Sequence, residues 1–91
     1  DWLRQSIDLE VHQAFHDLRA SQKRLELAVQ ATKFANESLR TVRDRYGEGL
    51  TTIVELLDVE TSLTRARTRT IAAHRDVLLS KAKLDLAVGR L

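Results

Sequence analysis

His12-Gln13-Ala14-Phe15-His16 sets two imidazoles one helical turn apart, the spacing with which a helix grips a zinc ion. In a zinc protease the residue after the first histidine is a glutamate that serves as base; here it is Gln13, which cannot take a proton. Asp8, one turn upstream, offers a third ligand, but Ala14 and Phe15 intervene. The pair therefore reads as two solvated histidines, and no metal site is expected. No glycine-rich phosphate loop follows a strand and no nucleophile stands beside a base, so neither a catalytic residue nor a cofactor is expected.

Two groups of arginines come next: Arg40, Arg43 and Arg45, then Arg65, Arg67, Arg69 and Arg75. Nucleic-acid binding would need aromatic interleaving and a net basic surface. The chain has four aromatics (Trp2, Phe15, Phe34, Tyr46), interspersed acids and a net charge of +2, so the arginines read as solvated helix faces. Arg40 and Asp44, one turn apart, are placed to pair for about 0.3 kcal/mol.

These residues need elements to carry them, and composition restricts the choice. There is no Cys, no Pro and no Met, and the three glycines are Gly47, Gly49 and Gly89. That excludes a disulfide-stapled mini-protein and a thiolate metal centre. No run reaches the roughly 18 uncharged apolar residues of a membrane-spanning helix. The chain starts at Asp1 without an initiator Met and reads as an excerpt of a longer protein.

Apolar and small residues recur in steps of four and three along both halves. The first series is Ile7, Val11, Ala14, Leu18, Ser21, Leu25, Ala28, Thr32, Ala35, Leu39, Val42, Tyr46. The second is Thr52, Leu56, Val59, Leu63, Ala66, Thr70, Ala73, Val77, Ser80, Leu84, Ala87, Leu91. A sustained 3.5-residue period predicts two long helices supercoiling against a partner. The helices are expected over about 2–46 and 52–89, with a turn at 47–51. Each arm extends on the order of 60 Å. Gly47 or Gly49 is expected to take the left-handed conformation that ends a helix. Thr52-Ile53-Val54-Glu55 reads as a capping box opening the second helix. So short a connection makes the two arms antiparallel.

Beside the seam run further apolar positions: Ala20, Leu27 and Phe34 on the first arm, and Leu57, Ile71, Leu78 with Ala72, Leu79, Leu86 on the second. Glu10, Asp17, Arg24, Ser38 and Arg45, and Glu55, Ser62, Arg69, Asp76, Lys83 and Arg90, are assigned to the opposite, wet faces. A hairpin this wide in its apolar surface needs neighbours.

The run from Arg45-Tyr46-Gly47-Glu48-Gly49-Leu50-Thr51-Thr52-Ile53-Val54-Glu55-Leu56-Leu57-Asp58 resembles the signature of the TolC family of bacterial outer-membrane efflux proteins. The likeness continues through Ser62-Leu63-Thr64-Arg65-Ala66-Arg67 to Ala87-Val88-Gly89-Arg90-Leu91, and upstream to Glu10-Val11-His12-Gln13-Ala14-Phe15. It covers nearly the whole chain and looks more like the second of the family's two internal repeats than the first.

The resemblance implies a hairpin from the periplasmic α-helical barrel of a homotrimeric channel. Its turn would face the inner membrane, where a periplasmic adaptor and an inner-membrane pump dock. The segment itself would not contact lipid, and the isolated chain is expected to self-associate. Tyr46 matches an aromatic at the closed entrance, and Glu55 and Asp58 match acidic rings at the constriction. Gly47, Glu48, Gly49, Leu50 and Thr51 match the tip that meets the adaptor. Two positions depart from the pattern. Thr51 stands where the best-known member has an arginine that ties the gate, and Glu48 replaces a small aliphatic residue. Transport of drugs, metals or secreted proteins fits equally. The alternatives are a cytosolic coiled coil forming a four-helix bundle and the hairpin of a periplasmic adaptor.

Overall fold

Between Trp2 and Tyr46 the sequence contains neither Gly nor Pro, and one helix, α1, runs through the whole stretch to Gly47 (Trp2–Gly47, 46 residues). The second helix, α2, spans Ile53–Gly89, 37 residues. The computed structural model describes residues 1–90; Leu91, the last seam position read from the sequence, lies outside the described residues. The fold is an all-α antiparallel two-helix hairpin. No described helix is long and apolar enough to cross a membrane. Asp1 opens α1: its carboxylate accepts the Leu3 amide at 3.2 Å and so satisfies one of the donors a helix start leaves over.

The hairpin divides into two units, a turn unit of Glu26–Ile71 and a terminal unit of residues 1–25 with 72–90. In the turn unit the heptad positions meet as expected. Leu39, Val42, Leu63 and Ala66 are buried, with Leu63 only 4% exposed. Burying a leucine this fully contributes about 2 kcal/mol. One layer is polar. Thr32 and Thr70 hydroxyls lie 2.9 Å apart, and Thr70 also reaches the Ala28 carbonyl of the facing helix at 3.1 Å. Such a contact between a side chain and the opposite backbone requires close helix approach, which Ala35 and Ala66 allow by being small. Arg43 and Glu60 pair at 3.8 Å on the exposed rim.

The terminal unit is held differently. Its most buried residues are small: Ala87, Ala73 and the polar Ser21, which is 2% exposed. Ser21 and Ser80 hydroxyls meet across the seam at 3.0 Å, and Arg24 donates to Ser21 at 3.1 Å. A buried hydroxyl without a partner costs roughly 1–3 kcal/mol, so this pairing decides whether the layer is tolerated. Arg90 and Glu10 close the unit at 2.8 Å.

Those last contacts correct the assignment of wet faces. Glu10, Arg24 and Arg90 do not lie opposite the seam, and Ser38 and Asp76, assigned to the same faces, are half-buried. They flank it, because each stands one heptad place from a seam residue and the 3.5-residue period brings that place to the edge of the interface. Glu10 and Arg90 occupy equivalent places on antiparallel arms and therefore meet.

Candidate functional site

The turn is where backbone and side chains depart from the repeat. α1 ends in two interlocked backbone hydrogen bonds: Leu50 N–H donates to the Arg45 carbonyl at 2.8 Å, and Gly49 N–H to the Tyr46 carbonyl at 3.0 Å. This is a Schellman closure, and it requires a left-handed residue just past the helix. Gly49 supplies it, with φ of +76°. Of the two glycines offered by the sequence, Gly49 takes that role, while Gly47 remains inside α1. Nothing lies within 4 Å of where a Cβ on Gly49 would sit, so its requirement is conformational and not one of space.

Leu50 follows directly and is 70% exposed. Leucine standing this far out at a turn gains nothing from its own chain. Gly47, Glu48, Gly49 and Thr52 are also exposed, and Thr51 is half-buried.

α2 starts one residue after Thr52. The Thr52 hydroxyl accepts the Glu55 amide at 3.2 Å, satisfying a first-turn donor. The Glu55 carboxylate accepts from the Thr51 hydroxyl. Thr51 thereby has a partner of its own inside the turn, a role the sequence pattern does not reveal. Glu55 and Asp58 are both exposed, close to the positive end of the α2 dipole. Tyr46, the last seam position of α1 in the sequence pattern, is exposed within the chain. Within one chain these side chains form an open, acid-edged tip with a projecting leucine. Exposed on every side chain but that of Thr51, it offers a surface for contact.

The histidine pair lies in the terminal unit. His12, Phe15, His16 and Arg19 edge a shallow depression, and the Arg19 guanidinium stands 5.9 Å from the Phe15 ring centre. Among the described residues no group of three or more His, Cys, Asp or Glu side chains converges. A groove of about 270 Å³ in the same unit is floored by Ala14, Leu86 and Ala87 and edged by Glu10, Asp17 and Lys83.

Reasoning from the sequence missed the two hydroxyl pairs across the seam. Their signal was present: Ser21 with Ser80, and Thr32 with Thr70, are hydroxyl-bearing members of two heptad series that run in opposite directions. A protein-family model described as outer membrane efflux protein matches residues 3–90. No curated protein and no solved structure matches the chain.

Proposed function

The chain belongs to the outer membrane efflux protein family, and on that premise we propose that its hairpin is a wall segment of the channel's periplasmic α-helical conduit, with the Gly47–Thr51 turn at the entrance. As a member of that family it is a component of an outer-membrane efflux channel, a transport protein. The hairpin does no chemistry. It contributes length, stiffness and an entrance surface, and energy comes from elsewhere.

The observation that carries the entrance role is the tip itself. A backbone-locked turn presents Leu50 to solvent, and Glu55 and Asp58 stand exposed on the helix that leaves it. A rigid turn lets a partner bind without first ordering the loop. In this reading a periplasmic adaptor packs on Leu50 and the flat backbone at Gly49, and an inner-membrane pump acts through it. Repeated around a homotrimer, Glu55 and Asp58 ring the mouth with carboxylates that concentrate cations in a narrow passage. Tyr46 closes the seam just behind that ring. Long seams and exposed flanks support this over a free-standing four-helix bundle, and family membership supports it over an adaptor hairpin.

The test uses the complete channel in planar bilayers. Glu55→Ala with Asp58→Ala is expected to weaken block by multivalent cations entering from the periplasmic side. Unchanged conductance and unchanged block would remove the acidic ring. For the tip, Leu50→Asp is expected to abolish co-purification with the adaptor while leaving the trimer intact; normal recovery would move the docking surface elsewhere.

A further inference from the structure

Arg43 and Glu60 each follow a seam residue of the turn unit, and they meet at 3.8 Å on one flank of it. The residues that precede a seam position border the other flank, because a 3.5-residue period keeps such places in line. On α2 these are Glu55, Asp58, Ser62, Arg65 and Arg69. The two carboxylates proposed to ring the entrance thus share their side of the helix with two guanidiniums, and all five residues are exposed. On α1 the same flank carries Ala31, Phe34, Ser38 and Thr41, none of them charged, before Arg45 in the last turn.

The arginines of the two flanks differ in their company. Arg43 has Glu60. Arg65 and Arg69 have no acidic residue within one turn of either on α2. Among the described residues neither makes an ion pair or a side-chain hydrogen bond. They stand one turn from each other, and a like-charged pair at that spacing weakens its own helix. No described residue offsets that cost, so the pair answers to something outside the chain.

We infer that Arg65 and Arg69 form a belt of positive charge on the passage wall, behind the acidic mouth, which holds the oxyanion groups of a passing substrate. This rests on the reading that Glu55 and Asp58 line the entrance. Guanidiniums suit carboxylate, sulfate or phosphate because each presents a fork of donors to the oxygens. At about 1.5 Å per residue the belt lies roughly 15 Å beyond the carboxylates. That exceeds the Debye length of about 10 Å at 0.1 M salt, so the two signs act as separate stations instead of cancelling. In a three-fold assembly each chain adds its pair to one circle, and a narrow passage focuses the field. The mouth is mixed in sign, since Arg45 ends α1 where Glu55 begins α2, but the belt is of one sign. A wall so arranged favours substrates that carry an anionic group over purely cationic ones.

The complete channel in planar bilayers reads this through two measurements, the reversal potential in a salt gradient and block by inorganic pyrophosphate. Wild type is expected to be blocked by pyrophosphate. Arg65→Gln with Arg69→Gln should weaken that block about tenfold and move the reversal potential toward cation selectivity, both effects fading in high salt. Arg65→Lys with Arg69→Lys keeps the charge and should keep the selectivity, whereas a forked ion pair to a neighbouring helix would not survive that exchange. Glu55→Ala with Asp58→Ala reads the entrance separately, through block by multivalent cations. Suppose that cation block weakens, yet wild type ignores pyrophosphate or the glutamine pair moves neither measurement: the belt is then overturned and the entrance reading stands. If neither set of changes moves its readout, the entrance reading falls and the belt with it. Should the glutamine pair fail to assemble, Arg65→Gln and Arg69→Gln singly carry the test, each expected to give part of the loss. Two single changes without effect on pyrophosphate block overturn the belt.

Discussion

The turn unit buries leucine and valine, whereas the terminal unit buries serine and alanine. Leu39, Val42 and Leu63 fill the seam of the first, while in the second Ser21, Ala73 and Ala87 are the buried residues and large side chains such as Leu79 and Leu86 stand in solvent. The same heptad arithmetic thus yields two interfaces of different character. One is held by apolar volume and a closed turn. The other puts small residues at its most buried positions, and its hydroxyl pair carries an added arginine contact. Both units leave large apolar residues outside, Phe34 and Ile71 in the turn unit and Leu79 and Leu86 in the terminal one, so both depend on neighbours to cover them.

Mutations can break that contrast, beginning with volume. Leu63→Ala should destabilise the hairpin by about 3 kcal/mol in thermal unfolding followed by circular dichroism, whereas Leu86→Ala in the monomer should change little. Equal losses at the two sites would mean that the terminal unit also relies on apolar volume. Gly49→Ala comes next. The left-handed backbone it must keep costs an alanine about 1 kcal/mol, with no steric term because the surrounding space is open. Gly47→Ala should be neutral or stabilising, and a reversal of that order would displace the Schellman closure.

Ser80→Ala sharpens the polar side of the comparison. It removes the partner across the seam but leaves Ser21 its contact with Arg24. The expected loss is about 1 kcal/mol, and replacing both serines by alanine should cost no more than the single change. A double loss equal to the sum of the singles would show that the two hydroxyls act independently. Thr52→Ala, at the cap of α2, should cost about 1 kcal/mol and is separable because its effect lies in the turn unit. Smallest of all is Glu10→Gln. Both partners of that ion pair are about half exposed, so the expected change is roughly 0.3 kcal/mol and should vanish in high salt.

Much of this was legible from residue order. Every seam position from Ile7 to Val42, and from Leu56 to Ala87, is buried or half-buried. A 3.5-residue period dictates that outcome, since it keeps one set of side chains on one line of the helix. The glycine pair marked the turn but did not say which member goes left-handed. That depends on where α1 makes its last backbone bond, which is settled by competition between neighbouring residues of similar propensity. Hydropathy also misplaced Glu10, Arg24 and Arg90, because a charged residue beside a seam and one opposite it score alike. Ser21, Thr32, Thr70 and Ser80 read as small gap-fillers in the series. Their pairing follows only once the antiparallel register is known. The tip assignments at Tyr46, Glu55 and Asp58 depend on other chains, so nothing inside ninety-one residues fixes them.

The closed turn at Gly49 also dictates an order of events when the chain acquires its structure. Contacts between the arms are far apart in sequence everywhere except beside Gly49, where joining them requires only a short loop to close. Assembly should therefore start there and zip outward, with Arg43 and Glu60 meeting before Glu10 and Arg90. A chain emerging from its N-terminus can display all of α1 and still lack α2 as its partner until that glycine and the residues after it have followed.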